Sequence, residues 1–170
     1  MNRELRQQLE TMTLKLSVAE HSATLEKLRA EFGHSVEIVA SEHPIEEYTC
    51  VVHAFSLVND PTYVEVASFG LGRTFAGADF IRFVLKHDLL KARDSTNCAH
   101  GDFVMYFQEG LFQHVGRLMT RDRALSKWGT GHLYKHGLWE VPFTYGEEVR
   151  MFKCPNKERC LELFIAYAED

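Results

Sequence analysis

Cys50 stands three residues before His53 in the run EEYTCVVHAFSL (46–57), among residues that are mostly apolar. A thiol in that setting is a small core residue, a metal ligand or a nucleophile. Free cysteine is among the most buried residue types, so the first reading follows from packing alone. The third needs a thiolate, a base that takes the proton and a group that orients the base. A helix start favours the thiolate, because its unpaired N–H groups and the helix dipole stabilise negative charge. The base is expected on a distant, rigid element that converges on the thiol in space. His114, in FQHVGRL, fits that demand: it lies mid-strand, where residues two apart share its face.

The remaining cysteines and histidines make a weaker set. Cys98, Cys154 and Cys160 read as structural thiols, and no C-x-x-C occurs, so the strong zinc spacing is missing. Cys98 and His100 make half of a metal site. His132 and His136 have the i, i+4 spacing that two ligands use on a helix, but Gly129, Gly131 and Gly137 argue against a regular helix there. The expectation is therefore no metal and no cofactor.

Composition sets the wider bounds. The chain has 170 residues, 45% hydrophobic and 25% charged, with a formal charge of −5 and no long basic run. One domain with a real core is expected, and a nucleic-acid partner is not. The start MNRELRQQLETMTLKLS lacks the apolar stretch of a signal peptide, and no window reaches the length that spans a bilayer. A cytoplasmic protein with reduced thiols and no membrane partner is the expectation.

The elements that must hold Cys50 and His114 are legible in outline. Over residues 3–32, Leu5, Leu9, Met12 and Leu16, then Val18, Leu25, Leu28 and Phe32, recur at helical spacing, with Gly33 as a stop. This fits one long helix or two shorter ones, and its apolar stripe suits packing or dimerisation. SVEIVA (35–40) alternates as a short strand. The helix that carries Cys50 starts either near Pro44, which puts the thiol more than a turn inside, or after Thr49 as N-cap, which puts it first. NDPTY ends that helix, and residues 75–90 form a second, with Phe80, Phe83 and Val84 inward. DFVMYF (102–107), LFQHVGRLM (111–119) and RALSKWG (123–129), separated by QEG and TRD, have the spacing of an antiparallel meander. A glycine-rich stretch follows, then a strand at 147–153 and a last segment, NKERCLELFIAYAED, that reads as helix for its first half. Helices first and a sheet afterwards imply an α+β fold.

The pieces GDFVMYF and QHVGRLM, in that order after an apolar helix opened by Cys50, resemble the core of the NlpC/P60 cysteine peptidases. YTCVVHA, HVGR, SKWG, His136 and TYG also resemble a string found in an uncharacterised bacterial subgroup of that type, over residues 46–150. The resemblance implies a papain-like fold, with a cysteine at a helix start packed on an antiparallel sheet that carries the histidine. It implies a thiol hydrolase or acyl-transfer enzyme acting on an amide bond of a peptide or peptidoglycan-like substrate, with Cys50 as nucleophile and His114 as base. Residues 1–34 are then a helical arm and residues 35–170 the catalytic-type domain.

Where the family carries a polar residue on the strand after its histidine, this chain has LSKWG. Ser126 fits that position but is a freely rotating acceptor that fixes a tautomer weakly, so His136 stands beside it as the orienting group. Lys127 alternates to the other face and would repel an imidazolium. These departures support a second reading, a non-catalytic immunity, phage or adaptor protein that keeps the fold without the chemistry.

Overall fold

Leu5, Leu9 and Met12 lie buried along one side of α1 (Arg3–Lys15), whose first turn is capped by the Asn2 side chain accepting from the Leu5 N–H at 3.1 Å. A capping box between Ser17 and Glu20 restarts the chain in a 3₁₀ turn, and α2 (His21–Phe32) follows. The 3–32 periodicity is therefore two helices. Gly33, in the left-handed region at φ 67°, closes the second. The computed structural model describes residues 1–69 and 75–170.

Among the described residues the strands are β1 (Glu37–Val39), β2 (Ala92–Arg93), β3 (Phe103–Gln108), β4 (Leu111–Leu118), β5 (Arg123–Lys127), β6 (Leu133–Gly137) and β7 (Glu148–Phe152). They form one sheet in the order β1-β6-β5-β4-β3-β7-β2, antiparallel at every pairing. The β3–β4 turn holds Glu109 and Gly110 at φ 51° and 76°, the doubly left-handed geometry that matches the twist of a tight hairpin. β3 is buried from Phe103 to Phe107 because both faces of the sheet are covered. α1 and α2 pack on one face, over Val104, Tyr106, Leu118, Ala124, Trp128 and Tyr134. On the other face Phe103, Met105, Phe107 and Val115 meet α3 (Cys50–Ala54), α5 (Ala78–Lys86) and α6 (Lys157–Glu169). Residues 1–34 thus share a core with the sheet. The architecture is α+β, and no described helix is long and apolar enough to cross a membrane.

Three expectations change. The stretch from 129 to 137 contains β6, because Leu133 to Lys135 pair with β1 and the whole strand pairs with β5, so non-local partners overrule its glycines. NDPTY starts a helix and does not end one, since the cysteine helix already stops at Ala54. Asp60 accepts from the Thr62 and Tyr63 N–H groups, both at 3.1 Å, and Pro61 takes the first position of α4 (Pro61–Phe69). The C-terminal segment is helical throughout Lys157–Glu169.

Candidate active site

Thr49 settles where the cysteine helix begins. Its side chain accepts from the Val52 N–H at 3.3 Å, so Cys50 is the first residue of α3, while Ile45–Glu47 is only a 3₁₀ turn. Cys50 is half-buried and lines a groove of about 350 Å³ together with Tyr48, Thr49, Gly129 and Thr130. Burial pushes its thiol pKa up. The Val115, Val51 and Cys50 backbone N–H groups and the charge of Lys127 pull the other way without prevailing. A five-residue helix carries little dipole, so at rest the thiol keeps its proton.

The Val115 N–H is left free to face the thiol because the sheet opens there. β4 pairs with β3 along its length, but with β5 only at Arg117↔Leu125 and Leu118↔Ala124. At Gly116 the strands still touch: an added Cβ would stand 2.8 Å from the Ser126 Cβ and 2.9 Å from the Leu125 carbonyl oxygen. Beyond it β4 and β5 part, and the start of α3 lies over the opening.

His114 and Cys50 lie on opposite faces of the sheet. Val115 faces the α3 side, so its neighbour His114 projects to the face that α1 and α2 cover. The imidazole is buried and stacked on Tyr145, with centroids 3.9 Å apart and planes at 12°. Its Nε2 is buried without a hydrogen-bond partner. Burial, and then the neighbouring His136, hold its pKa well below the ordinary histidine value, so it is a neutral imidazole. Tyr145 links the two sides. Its ring covers His114, and burial keeps its hydroxyl protonated near the Gly129 N–H. Arg6 holds the turn that presents Tyr145, donating to the carbonyls of Val141 (3.2 Å), Pro142 (3.3 Å) and Gly146 (2.6 Å). α1 therefore helps to position the histidine.

Ser126 and His136 come together, but with each other. Ser126 Oγ lies 2.8 Å from His136 Nε2 and accepts from Trp128 Nε1–H at 3.0 Å. His136 Nδ1 lies 2.9 Å from the Gly137 carbonyl, which makes Nδ1 the protonated nitrogen and Nε2 the acceptor for Ser126. Burial takes the His136 pKa down to about 4. Both residues are saturated and make no hydrogen bond to His114; the group against the His114 ring is Tyr145.

Lys127 is the residue that the sequence reading set aside. It does alternate away from Ser126, and that puts it on the side of Cys50. Its Nζ donates to the Gly129 carbonyl at 2.7 Å and lies 5.5 Å from the centre of the Tyr48 ring. Burial lowers its pKa, against the pull of Cys50 and Glu46. Strand alternation was the available signal, since it placed Lys127 and Ser126 on opposite faces. Nothing local in the sequence pointed to Tyr145 as the partner of His114.

Among the described residues no group of three or more His, Cys, Asp and Glu side chains is placed to hold a metal ion. His132 precedes β6 and turns to the Val18 carbonyl at 3.1 Å, while His136 lies within the strand, so the pair does not share a helix face. No family model, curated protein or solved structure matches the chain.

Proposed function

We propose that this chain is a papain-like, NlpC/P60-type thiol hydrolase or acyl-transfer enzyme that uses Cys50 and His114 on an amide bond. Its carrying observation is the placement of Cys50 as the first residue of a helix over a gap in the sheet. There the Val115 N–H faces the thiol, and the preceding residue, His114, keeps an unpartnered nitrogen. Burial disfavours the charged form of each, so at rest the thiol and the imidazole are both neutral. Attack is then a general-base step. The Cys50 proton moves to His114 as the sulfur bonds the carbonyl carbon, and the tetrahedral oxyanion gains from the Lys127 charge and nearby N–H groups. Collapse breaks the C–N bond, the amine leaves with the proton from His114, and water or another acceptor resolves the thioester. The substrate class is a peptide or peptidoglycan-like amide, handled in the cytoplasm without cofactor, membrane or nucleic acid.

Acid-quenched mass spectrometry after incubation with acyl-activated peptide reporters tests this. An acyl adduct on the Cys50 peptide is expected, absent in Cys50→Ala and formed about 10²-fold or more slowly in His114→Ala. Adducts spread evenly over the four cysteines, or none at all, overturn it. The second reading, an interaction protein that keeps this fold, draws on the engagement of Ser126 with His136, which leaves His114 no polar orienting group.

A further inference from the structure

We propose that Cys154 and Cys160 form a reversible dithiol–disulfide pair, a modification site for low-molecular-weight disulfides of the glutathione class. Cys154 stands two residues after the end of β7, and Cys160 lies at the end of the first turn of α6. The intervening chain folds back so that both sulfurs reach one acceptor, the Pro155 carbonyl, at 3.0 Å from Cys154 and 3.8 Å from Cys160. That shared acceptor sets the two thiols side by side. Their backbones are anchored on both sides. The Cys154 N–H donates to Asp102 Oδ1 at 3.3 Å, and Asn156 caps α6 by accepting from the Arg159 N–H at 2.9 Å.

The two thiols are unequal in a way that orders the chemistry. Cys154 is half-buried and open to a small reagent, whereas Cys160 is fully buried. The neighbouring Cys160 thiol, and after it the Arg117 guanidinium, hold the Cys154 pKa down against burial and the charge of Asp102. Arg117 is fixed nearby by the Gly101 carbonyl at 3.2 Å and Ser56 Oγ at 2.8 Å. Cys160, beside Cys154 and buried, is pushed up and keeps its proton. Cys154 is thus the attacking thiolate and Cys160 the resolving thiol. The Cys154 sulfur bonds one sulfur of the small disulfide, whose S–S bond breaks and releases one thiolate that takes up a proton. Cys160 then loses its proton as its sulfur bonds that of Cys154, and the second small thiolate leaves. Two protein thiols are oxidised by two electrons, and one small disulfide is reduced to two thiols.

The full chain, equilibrated in graded mixtures of glutathione and glutathione disulfide, acid-quenched, alkylated and peptide-mapped, reads this directly and without reference to Cys50 chemistry. A Cys154–Cys160 disulfide is expected in mixtures that leave Cys50 and Cys98 open to alkylation, with Cys154 reacting about tenfold faster than Cys98. Cys160→Ala should stop at a mixed disulfide on Cys154, and Cys154→Ser should leave Cys160 unmodified. Cys154 and Cys160 both remaining alkylatable where Cys98 is already modified overturns the proposal, as does a Cys160 that reacts in Cys154→Ser. If Cys160→Ala does not fold, the wild-type map and Cys154→Ser decide.

Discussion

Along the β5–β6 pairing, five residue pairs run in register from Arg123↔Gly137 to Lys127↔Leu133, and the buried serine and histidine there are satisfied, whereas Arg123 Nε at the edge is not. Ser126 bridges Trp128 and His136, and His136 spends its second nitrogen on the Gly137 carbonyl. Across the neighbouring β4–β5 boundary only two pairs form, and His114, on the same face as His136, keeps its Nε2 unpartnered. Both imidazoles are buried and neutral. A buried donor or acceptor without a partner costs about 1–3 kcal/mol, so His114 carries a penalty that His136 avoids. The difference separates a histidine that builds the fold from one whose free nitrogen is open to chemistry.

The largest expected effect would test the hairpin side. His136 has an unfolded pKa near 6.5 and a folded value of about 4, so the unfolded chain binds more protons between those limits. Its contribution is complete above pH 6.5 and is lost as pH falls through that window, about 3 kcal/mol in all. His114 acts in the same direction. Denaturant unfolding at stepped pH should show stability falling from pH 6.5 downward, with a shallower slope in His136→Phe. A flat profile would mean that His136 is not held neutral, and the contrast with His114 would lose its basis.

A smaller change should separate the two histidines by function. Ser126→Ala leaves Trp128 Nε1–H and His136 Nε2 without a partner and should cost about 2 kcal/mol. Because Ser126 does not touch His114, the pH profile of Cys50 alkylation in the folded protein should stay where it is. A profile that moves in Ser126→Ala would join the hairpin network to the gap.

The smallest effect on stability belongs to the gap itself. Lys127→Met removes the charge that favours the Cys50 thiolate, so alkylation at neutral pH should slow several-fold. Stability should change by less than about 1 kcal/mol, since replacing a buried ammonium with an apolar chain of similar volume is often neutral. Unchanged alkylation would show that Lys127 holds Gly129 and nothing more.

Much of this framework is written locally. The helical spacing of Leu5, Leu9 and Met12 reports a buried stripe whatever lies opposite, and DFVMYF with LFQHVGRLM reports two strands and their hairpin. Asp60-Pro61 was an equally local helix start, and reading it only as a stop missed α4. β6 was a different matter. Its glycines speak for a loop, and only the ladders to β1 and β5, with β1 almost a hundred residues earlier in the chain, make it a strand.

For the candidate site, the sequence by itself determined the residue types, their order and one of two starts for the cysteine helix, because capping and strand alternation depend on near neighbours. Tertiary structure alone decided that Thr49 is the cap, and that β4 and β5 part beyond Gly116. It also decided that Lys127 stands on the Cys50 side, that Tyr145 covers His114, and that Ser126 belongs to His136. Each of these depends on which distant backbone lies alongside, and no local period encodes that. Burial completes the division. Whether Cys50 and His114 rest as ions or as neutral groups is set by the water that α1, α3 and the sheet exclude, a property of the packed molecule and of no segment within it.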